Sequence, residues 1–207
     1  MGFIMKTYFI TGIGTDVGKT VVAAILTEAL EADYWKPIQA GDLENSDTIK
    51  VQKLISNCKT IFHQEAYRLT QPMSPHAAAK IDTNLIDFDK IATPKTNNNL
   101  IIEGAGGLMV PLNDSQLIID LIKNIDAETI LVSQNYLGSI NHTLLSIDVL
   151  KTKGIKIKGI IFNGDANKET EEYILNYTEV TFLGRINNHS TINKEVVLSY
   201  KNEFKTL

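Results

Sequence analysis

Residues 11–20, Thr-Gly-Ile-Gly-Thr-Asp-Val-Gly-Lys-Thr, constrain the fold of this chain more than any other stretch. They follow the apolar run Tyr8-Phe9-Ile10. They precede apolar residues at helical spacing: Val21, Ala24, Ile25 and Ala29. A glycine-rich turn between a buried strand and a helix is the setting of a phosphate-binding loop. Its glycines let backbone N–H groups curl around anionic oxygens, and the helix start adds unpaired donors and partial positive charge. On this reading Gly12, Gly14, Thr15, Asp16, Val17, Gly18, Lys19, Thr20 and Val21 form the cradle. Lys19 reaches the β- and γ-phosphates of a nucleoside triphosphate, and the Thr20 hydroxyl binds Mg²⁺. Five residues, instead of the usual four, separate Gly12 from Gly18. The competing reading is a plain strand-to-helix turn with chance glycines; the Gly-Lys-Thr run and its flanks weigh against it.

Strand and helix patterns alternate along the chain. Tyr34-Trp35 leads into Lys36-Pro37, and the proline ends a short strand. Ser46 reads as the N-cap of a helix reaching about Asn57. Leu100–Ile102 reads as a strand ending at Glu103, Gln116–Lys123 as a helix and Thr129–Ser133 as a strand. Asn141–Lys153 reads as a helix stopped by Gly154, Lys158–Phe162 as a strand, Glu169–Asn176 as a helix and Thr181–Leu183 as a last strand. Thr70–Ala79 reads as a proline-containing insertion, and Lys95–Asn99 as a polar turn. The stretch from Asn187 onward carries no clear pattern. Continuous apolar strands separated by helices indicate a parallel sheet covered on both faces. The expectation is a single doubly wound α/β domain over residues 1–207, with a mostly parallel sheet of about six or seven strands flanked by helices.

Composition narrows the function classes. The net charge of −4 gives no basic footprint for nucleic acid. Cys58 is the only cysteine, which excludes an internal disulfide and fits a reducing cytoplasm. The four histidines show no metal-ligand spacing. No apolar run approaches the ~20 residues that span a bilayer. Met1–Lys6 is too short and mixed to open a signal peptide, Met5 is an alternative start, and Lys6 stands where myristoylation at Gly2 would want Ser or Thr. The chain is therefore expected to contact neither membrane nor nucleic acid.

A phosphate loop works with carboxylates, because Mg²⁺ takes one or two of them beside phosphate oxygens and water. Glu103 closes a strand ahead of Gly104-Ala105-Gly106-Gly107, and ligands of open α/β sheets gather at the carboxyl ends of strands. Asp47 is a second candidate, although an Asp in a first helical turn also serves as a dipole partner. Lys36 is either a surface cation or, if its strand ends in the same crevice, a group that stabilises a transferring phosphoryl.

These pieces occur in an order that resembles the dethiobiotin synthetase family. Beside the loop stand Trp35-Lys36-Pro37-Ile38-Gln39-Ala40-Gly41, Asn45-Ser46-Asp47 and Ser74-Pro75-His76. Further along come Ile102-Glu103-Gly104-Ala105-Gly106-Gly107 with Val110-Pro111-Leu112, then Leu137-Gly138-Ser139-Ile140-Asn141-His142. The set covers positions 8 to about 165, and the five-residue loop spacing is the one this family uses. The resemblance implies a P-loop NTPase-type fold. It also implies a reaction that uses ATP and Mg²⁺ to carboxylate 7,8-diaminononanoate with CO₂ and close it to a cyclic urea. It further implies that Thr20, Asp47 and Glu103 hold Mg²⁺, that Lys19, Lys36 and Thr15 act at the reacting groups, and that Ala40, Gly106 and Gly107 line the substrate. It implies a homodimer in which Ser139 and Asn141 bind the substrate's carboxylate tail across the interface, and an Asn163 that reads the adenine edge. On their own, Gly138–Asn141 are a helix cap and Asn163 a turn residue.

Three positions depart from the family pattern. Ala40 replaces a hydroxyl residue, Asp16 replaces a frequent Glu, and Arg185-Ile186-Asn187 replaces an Ile-Pro continuation on the adenine side. Three readings compete with this one, the blandest being a non-catalytic nucleotide-binding module, against which Lys19, Thr20, Asp47 and Glu103 together weigh. Synthetases of the same branch with a glutaminase domain are longer and carry a nucleophilic cysteine, a setting Cys58 lacks. Partitioning or switch ATPases carry a second lysine early in the loop, where Ile13 and Gly14 stand here.

Overall fold

The computed structural model describes residues 5–207; the expectations on Gly2 and the rest of positions 1–4 lie outside them. Strand β1 (Thr7–Gly12) runs into the loop and then helix α1 (Lys19–Leu30). β2 (Asp33–Trp35), β3 (Ile38–Ala40), α2 (Asp47–Leu54), β4 (Phe62–His63), β5 (Tyr67–Leu69) and α3 (Pro75–Ile81) follow. Next come β6 (Leu100–Gly107), α4 (Ile118–Ile125), β7 (Glu128–Gln134) and α5 (Ser139–Thr152). The chain ends with β8 (Ile157–Asn163), α6 (Lys168–Thr178), β9 (Phe182–Ile186), α7 (Lys194–Ser199) and α8 (Lys201–Phe204).

Seven strands form one sheet in the order β4-β2-β6-β1-β7-β8-β9, and every pairing is parallel. Successive side chains of a strand point to opposite faces, and the core divides accordingly. Tyr8, Ile10, Tyr34 and Ile101 pack on the face covered by α1 and the C-terminal helices. Phe9, Trp35, Leu100 and Ile102 pack on the other, with Ile118, Ile119 and Ile122 of α4. Both faces being buried explains why the strands read as continuous apolar runs. The connection from β1 leads to β2 on one side, and β7 lies on the other, so the order reverses beside β1. The crevice at that reversal, outside the carboxyl ends of the strands, is where such sheets bind ligands.

The main elements lie where the sequence puts them, with several corrections. β6 does not stop at Glu103 but continues to Gly107, because those residues pair with β1 past an irregularity: Ile10 faces Glu103 and Gly12 faces Gly107. The helix expected from Gln116 begins at Ile118, since Asp120 accepts the Leu117 amide at 2.9 Å and Gln116 is drawn into a turn with Leu112. The last strand runs over Phe182–Ile186 instead of Thr181–Leu183. The insertion at Thr70–Ala79 contains the start of α3, with Pro75 in its first turn. A small second sheet, β3 beside β5, and two short C-terminal helices have no counterpart in the sequence expectation. No helix among the described residues is long and apolar enough to cross a membrane.

Candidate active site

The loop after β1 curls over the edge of the sheet. Gly18 takes φ +93°, in the left-handed region, as the N-cap of α1, and a Cβ there would stand 2.3 Å from Asn163 Nδ2. Only glycine meets both conditions without strain. Asp16 also adopts positive φ (57°), which a non-glycine residue holds at some cost in the turn. Lys19 is buried, and its ammonium donates to the Gly14 carbonyl at 2.8 Å. Burial lowers its pKa to about 8; Lys36 and the attraction of Glu103, Asp47 and Asp16 act as smaller influences.

Glu103 stands at the bottom of the crevice, 1% exposed. Its Oε1 accepts from the Thr20 hydroxyl at 2.8 Å and from the Lys36 ammonium at 3.2 Å, and its Oε2 accepts from the Tyr34 hydroxyl at 2.8 Å. Lys36 also donates to the Gly104 carbonyl at 3.0 Å and pairs with Asp47 Oδ2 at 2.7 Å. Burial alone would lower the Lys36 pKa, but the charges of Glu103 and Asp47 outweigh it and raise the value. For Asp47 burial acts upward, and Lys36 with Lys50 outweighs it, leaving the carboxyl below its usual range. Asp47 owes its place to the start of α2. Ser46 caps that helix by accepting the Ile49 amide, and Gln39 Oε1 accepts the Asp47 amide at 3.1 Å. Gln39 is held in turn by donating to the Gly41 carbonyl at 2.9 Å.

These groups open onto a cavity of about 720 Å³, within the range of small-molecule sites. Of the residues expected from the sequence, Thr15, Asp16, Gly18, Lys19, Thr20, Val21, Lys36, Ala40, Asp47, Glu103 and Gly106 line it. Gly12, Gly14, Val17 and Gly107 lie in or against the loop, outside that lining. Asn163 lines a second cavity of about 220 Å³ with Gln134, Asn135, Asp165 and Asn188, and donates to the Val17 carbonyl at 3.2 Å. Arg185, at a departure from the family pattern, closes the edge of this region: it donates to the Gly164 carbonyl at 2.9 Å and pairs with Glu171. Ser139 and Asn141 are in the first turn of α5, away from both cavities, Ser139 buried and Asn141 exposed. Sequence reasoning missed Tyr34, Gln39 and Lys50. Tyr34 is distinguishable only by its place two residues before Lys36, which follows the strand directly, and Gln39 only by its fold-dependent reach to α2.

Thr20, Asp47 and Glu103 supply only oxygen donors, and Thr20 and Glu103 already stand within hydrogen-bond distance. An all-oxygen set with two carboxylates suits Mg²⁺ better than a softer metal. No cluster of three or more His, Cys, Asp or Glu side chains arranged for a metal occurs among the described residues, so further ligands at this site would be phosphate oxygens and water.

A wholly parallel sheet with a lysine-bearing glycine loop after its central strand, and a buried carboxylate on the neighbouring strand, defines an α/β protein of the P-loop NTPase type. A relative from Christiangramia forsetii, named ATP-dependent dethiobiotin synthetase BioD, is 56% identical over 97% of this chain and 96% of its own length. The chain belongs to the dethiobiotin synthetase family. Relatives of the same name from Cytophaga hutchinsonii and Chlamydia pneumoniae are 54% and 42% identical, covering 95% and 97% of this chain and 95% and 90% of their own lengths. A family model described as an AAA domain matches residues 6–196. Among solved structures, the septum site-determining protein MinD of Pyrococcus horikoshii, complexed with Mg-ADP, superposes with a TM-score of 0.59 at 16% identity, over 98% of this chain and 92% of that one. A ParA family ATPase from Chlorobium tepidum gives 0.54 at 13% identity, over 96% and 98%. At such identities the likeness is one of fold. It does not carry the partitioning-type reading, which the family membership displaces.

Proposed function

We propose that this chain is an ATP-dependent cyclo-ligase that joins CO₂ to 7,8-diaminononanoate and closes the product to dethiobiotin, releasing ADP and phosphate. The observation that carries the reading is the convergence of Lys19, Thr20, Lys36, Asp47 and Glu103 on one cavity in a member of this family. One amine of the substrate takes up CO₂ and loses a proton, giving a carbamate. A carbamate oxygen attacks the γ-phosphorus of ATP, and the bond to ADP breaks. The second amine then attacks the carbonyl carbon of the mixed anhydride, phosphate leaves with the bonding electrons, and the nitrogen loses its proton.

This chemistry asks the protein chiefly for positioning and for neutralising anionic oxygens. Lys36, cationic and buried, lines the cavity, and its role is to neutralise the carbamate oxygens. Lys19 exchanges its Gly14 contact for the γ-phosphate oxygens. Thr15, with Gly106 and Gly107 beside it, orients the diamine, and Ala40 leaves a hydrophobic wall where relatives place a hydroxyl. Thr20, Asp47 and Glu103 would hold Mg²⁺, which when bound supplies charge neutralisation on the β- and γ-oxygens. Asn163, with the cavity beside it, takes the adenine.

The reading extends to a cytoplasmic homodimer of one-domain subunits. Ser139 and Asn141, at a helix start that suits carboxylates, bind the substrate's tail across the interface. Leu137, wholly exposed, and Tyr136 directly before that helix support a buried partner surface there. The test is phosphate release from Mg-ATP with bicarbonate, with and without the diamine. Diamine-dependent release with dethiobiotin forming in step is expected; release indifferent to the diamine would remove the assignment.

A further inference from the structure

Among the buried titratable groups the mechanism above leaves unused, Tyr34 is the one that touches the site. Tyr34 is fully buried on β2, and its hydroxyl makes one hydrogen bond, to Glu103 Oε2. The arrangement follows from strand geometry. Tyr34 and Lys36 are alternate residues and so point to the same face. Tyr34 is opposite Ile101 of β6, which puts Glu103 diagonally within reach of a long side chain on that face. One short strand segment therefore delivers two donors to one carboxylate, one to each oxygen. The ring itself is fixed by the core and by Phe62, with centroids 5.7 Å apart.

We propose that Tyr34 is a positioning residue for Glu103: its phenol O–H holds Oε2 and thereby turns Oε1 toward the Thr20 hydroxyl and the reacting groups. The proposal rests on the metal role assigned to Glu103 above. A carboxylate's terminal torsion is broad and two-fold; Thr20 and Lys36 hold Oε1, and the Tyr34 bond to Oε2 fixes the second oxygen and with it the plane of the group. With Oε2 tied to a rigid ring, only Oε1 is presented, and it is presented in one direction. Mg²⁺ demands near-ideal octahedral geometry and gains from a single well-aimed oxygen more than from a loose or bidentate carboxylate. Partners of this kind, one bond removed from the ligand, orient it and tune its strength.

Tyr34→Phe removes the hydroxyl and keeps the ring. Metal affinity is measured directly, by titrating Mn²⁺ into the ADP-bound protein, for the wild type, Tyr34→Phe, Glu103→Gln and the double variant. Tyr34→Phe is expected to weaken Mn²⁺ by roughly tenfold to a hundredfold. ADP affinity in chelator stays unchanged, an outcome that general loosening of the core would not give. In the Glu103→Gln background the same change is expected to cost less than about twofold, because the group it acts through is gone. Unchanged or tighter Mn²⁺ binding in Tyr34→Phe, with Glu103→Gln weakened, overturns the positioning role alone. Unchanged binding in Glu103→Gln overturns the metal role of Glu103 and the proposal with it. If Tyr34→Phe does not fold, Tyr34→fluorotyrosine reads the same contact. Its fluorine resonance is expected to move on Mn²⁺-free Mg²⁺ addition to the ADP complex, and a fixed resonance overturns the proposal.

Discussion

Binding of ATP at mildly alkaline pH should draw a proton from the buffer. In the nucleotide-free protein Lys19 sits in the loop with its pKa lowered to about 8 by burial, and its ammonium rests on one neutral carbonyl, that of Gly14. Anionic phosphate oxygens favour the charged form and return the pKa toward its ordinary value. The sign follows: bound protein holds the proton where free protein has lost it, so uptake is about half a proton at pH 8, grows above it and fades below it. With a free pKa of about 8, Lys19 is protonated in roughly a quarter of molecules at pH 8.5, so binding takes up about 0.75 proton; at pH 7 the uptake is about 0.1. Calorimetric titrations with ATP and chelator, in buffers of different ionisation heat, give this number as a slope. ATP has lost its own last proton by pH 8.5, and Lys19→Met supplies the control. A slope near zero at pH 8.5, with ATP still binding, would refute the buried, proton-poor lysine. An undiminished slope in Lys19→Met would assign the proton to another group.

Three further outcomes are expected. Glu103→Gln should lower turnover by about a hundredfold or more, the scale of losing one charge-stabilising group, while circular dichroism stays native because Asp47 at 2.7 Å still neutralises Lys36; normal turnover would take Glu103 out of the site. Asn141→Ala should raise the diamine KM several-fold, on the scale of one lost hydrogen bond of about 1 kcal/mol, and leave the ATP KM alone; an unchanged diamine KM would count against the interface role. Gly18→Ala should lower Tm by roughly 5 °C, since a strained left-handed residue costs about 1–3 kcal/mol and a chain of this size loses about 2–4 °C per kcal/mol. The clash with Asn163 should also weaken nucleotide binding. A melt identical to the wild type would contradict the strain.

Much of the site is legible in the sequence because its parts are local. The phosphate loop, Lys36 before a proline, Asp47 after a helix-capping Ser46 and Glu103 between an apolar run and a glycine-rich stretch each announce themselves within a few residues. What is hidden depends on pairing across the sheet. Tyr34 looks like an ordinary apolar strand residue until β2 is set in register beside β6. The continuation of β6 through Gly104–Gly107 runs against the low strand preference of glycine and is secured only by its pairing with β1. β3 and β5 are three residues each, shorter than any window in which alternation can be counted, and the two C-terminal helices are equally brief. The second cavity is assembled from β7, β8 and the chain after β9, so no single segment betrays it.

The bond from Asn163 to the Val17 carbonyl spans 146 residues, and it gives the protein a history as well as a shape. The phosphate loop is synthesised well before its latch, which is on β8, the last strand but one. Parallel sheets must close long stretches of chain before their contacts repay the lost entropy, and they do so slowly. A growing chain that has not yet reached β8 holds the whole glycine loop and none of the side chain that braces it. The braced form of the loop therefore belongs to a chain that has completed β8, and a chain truncated before it carries the whole motif without the Asn163 latch.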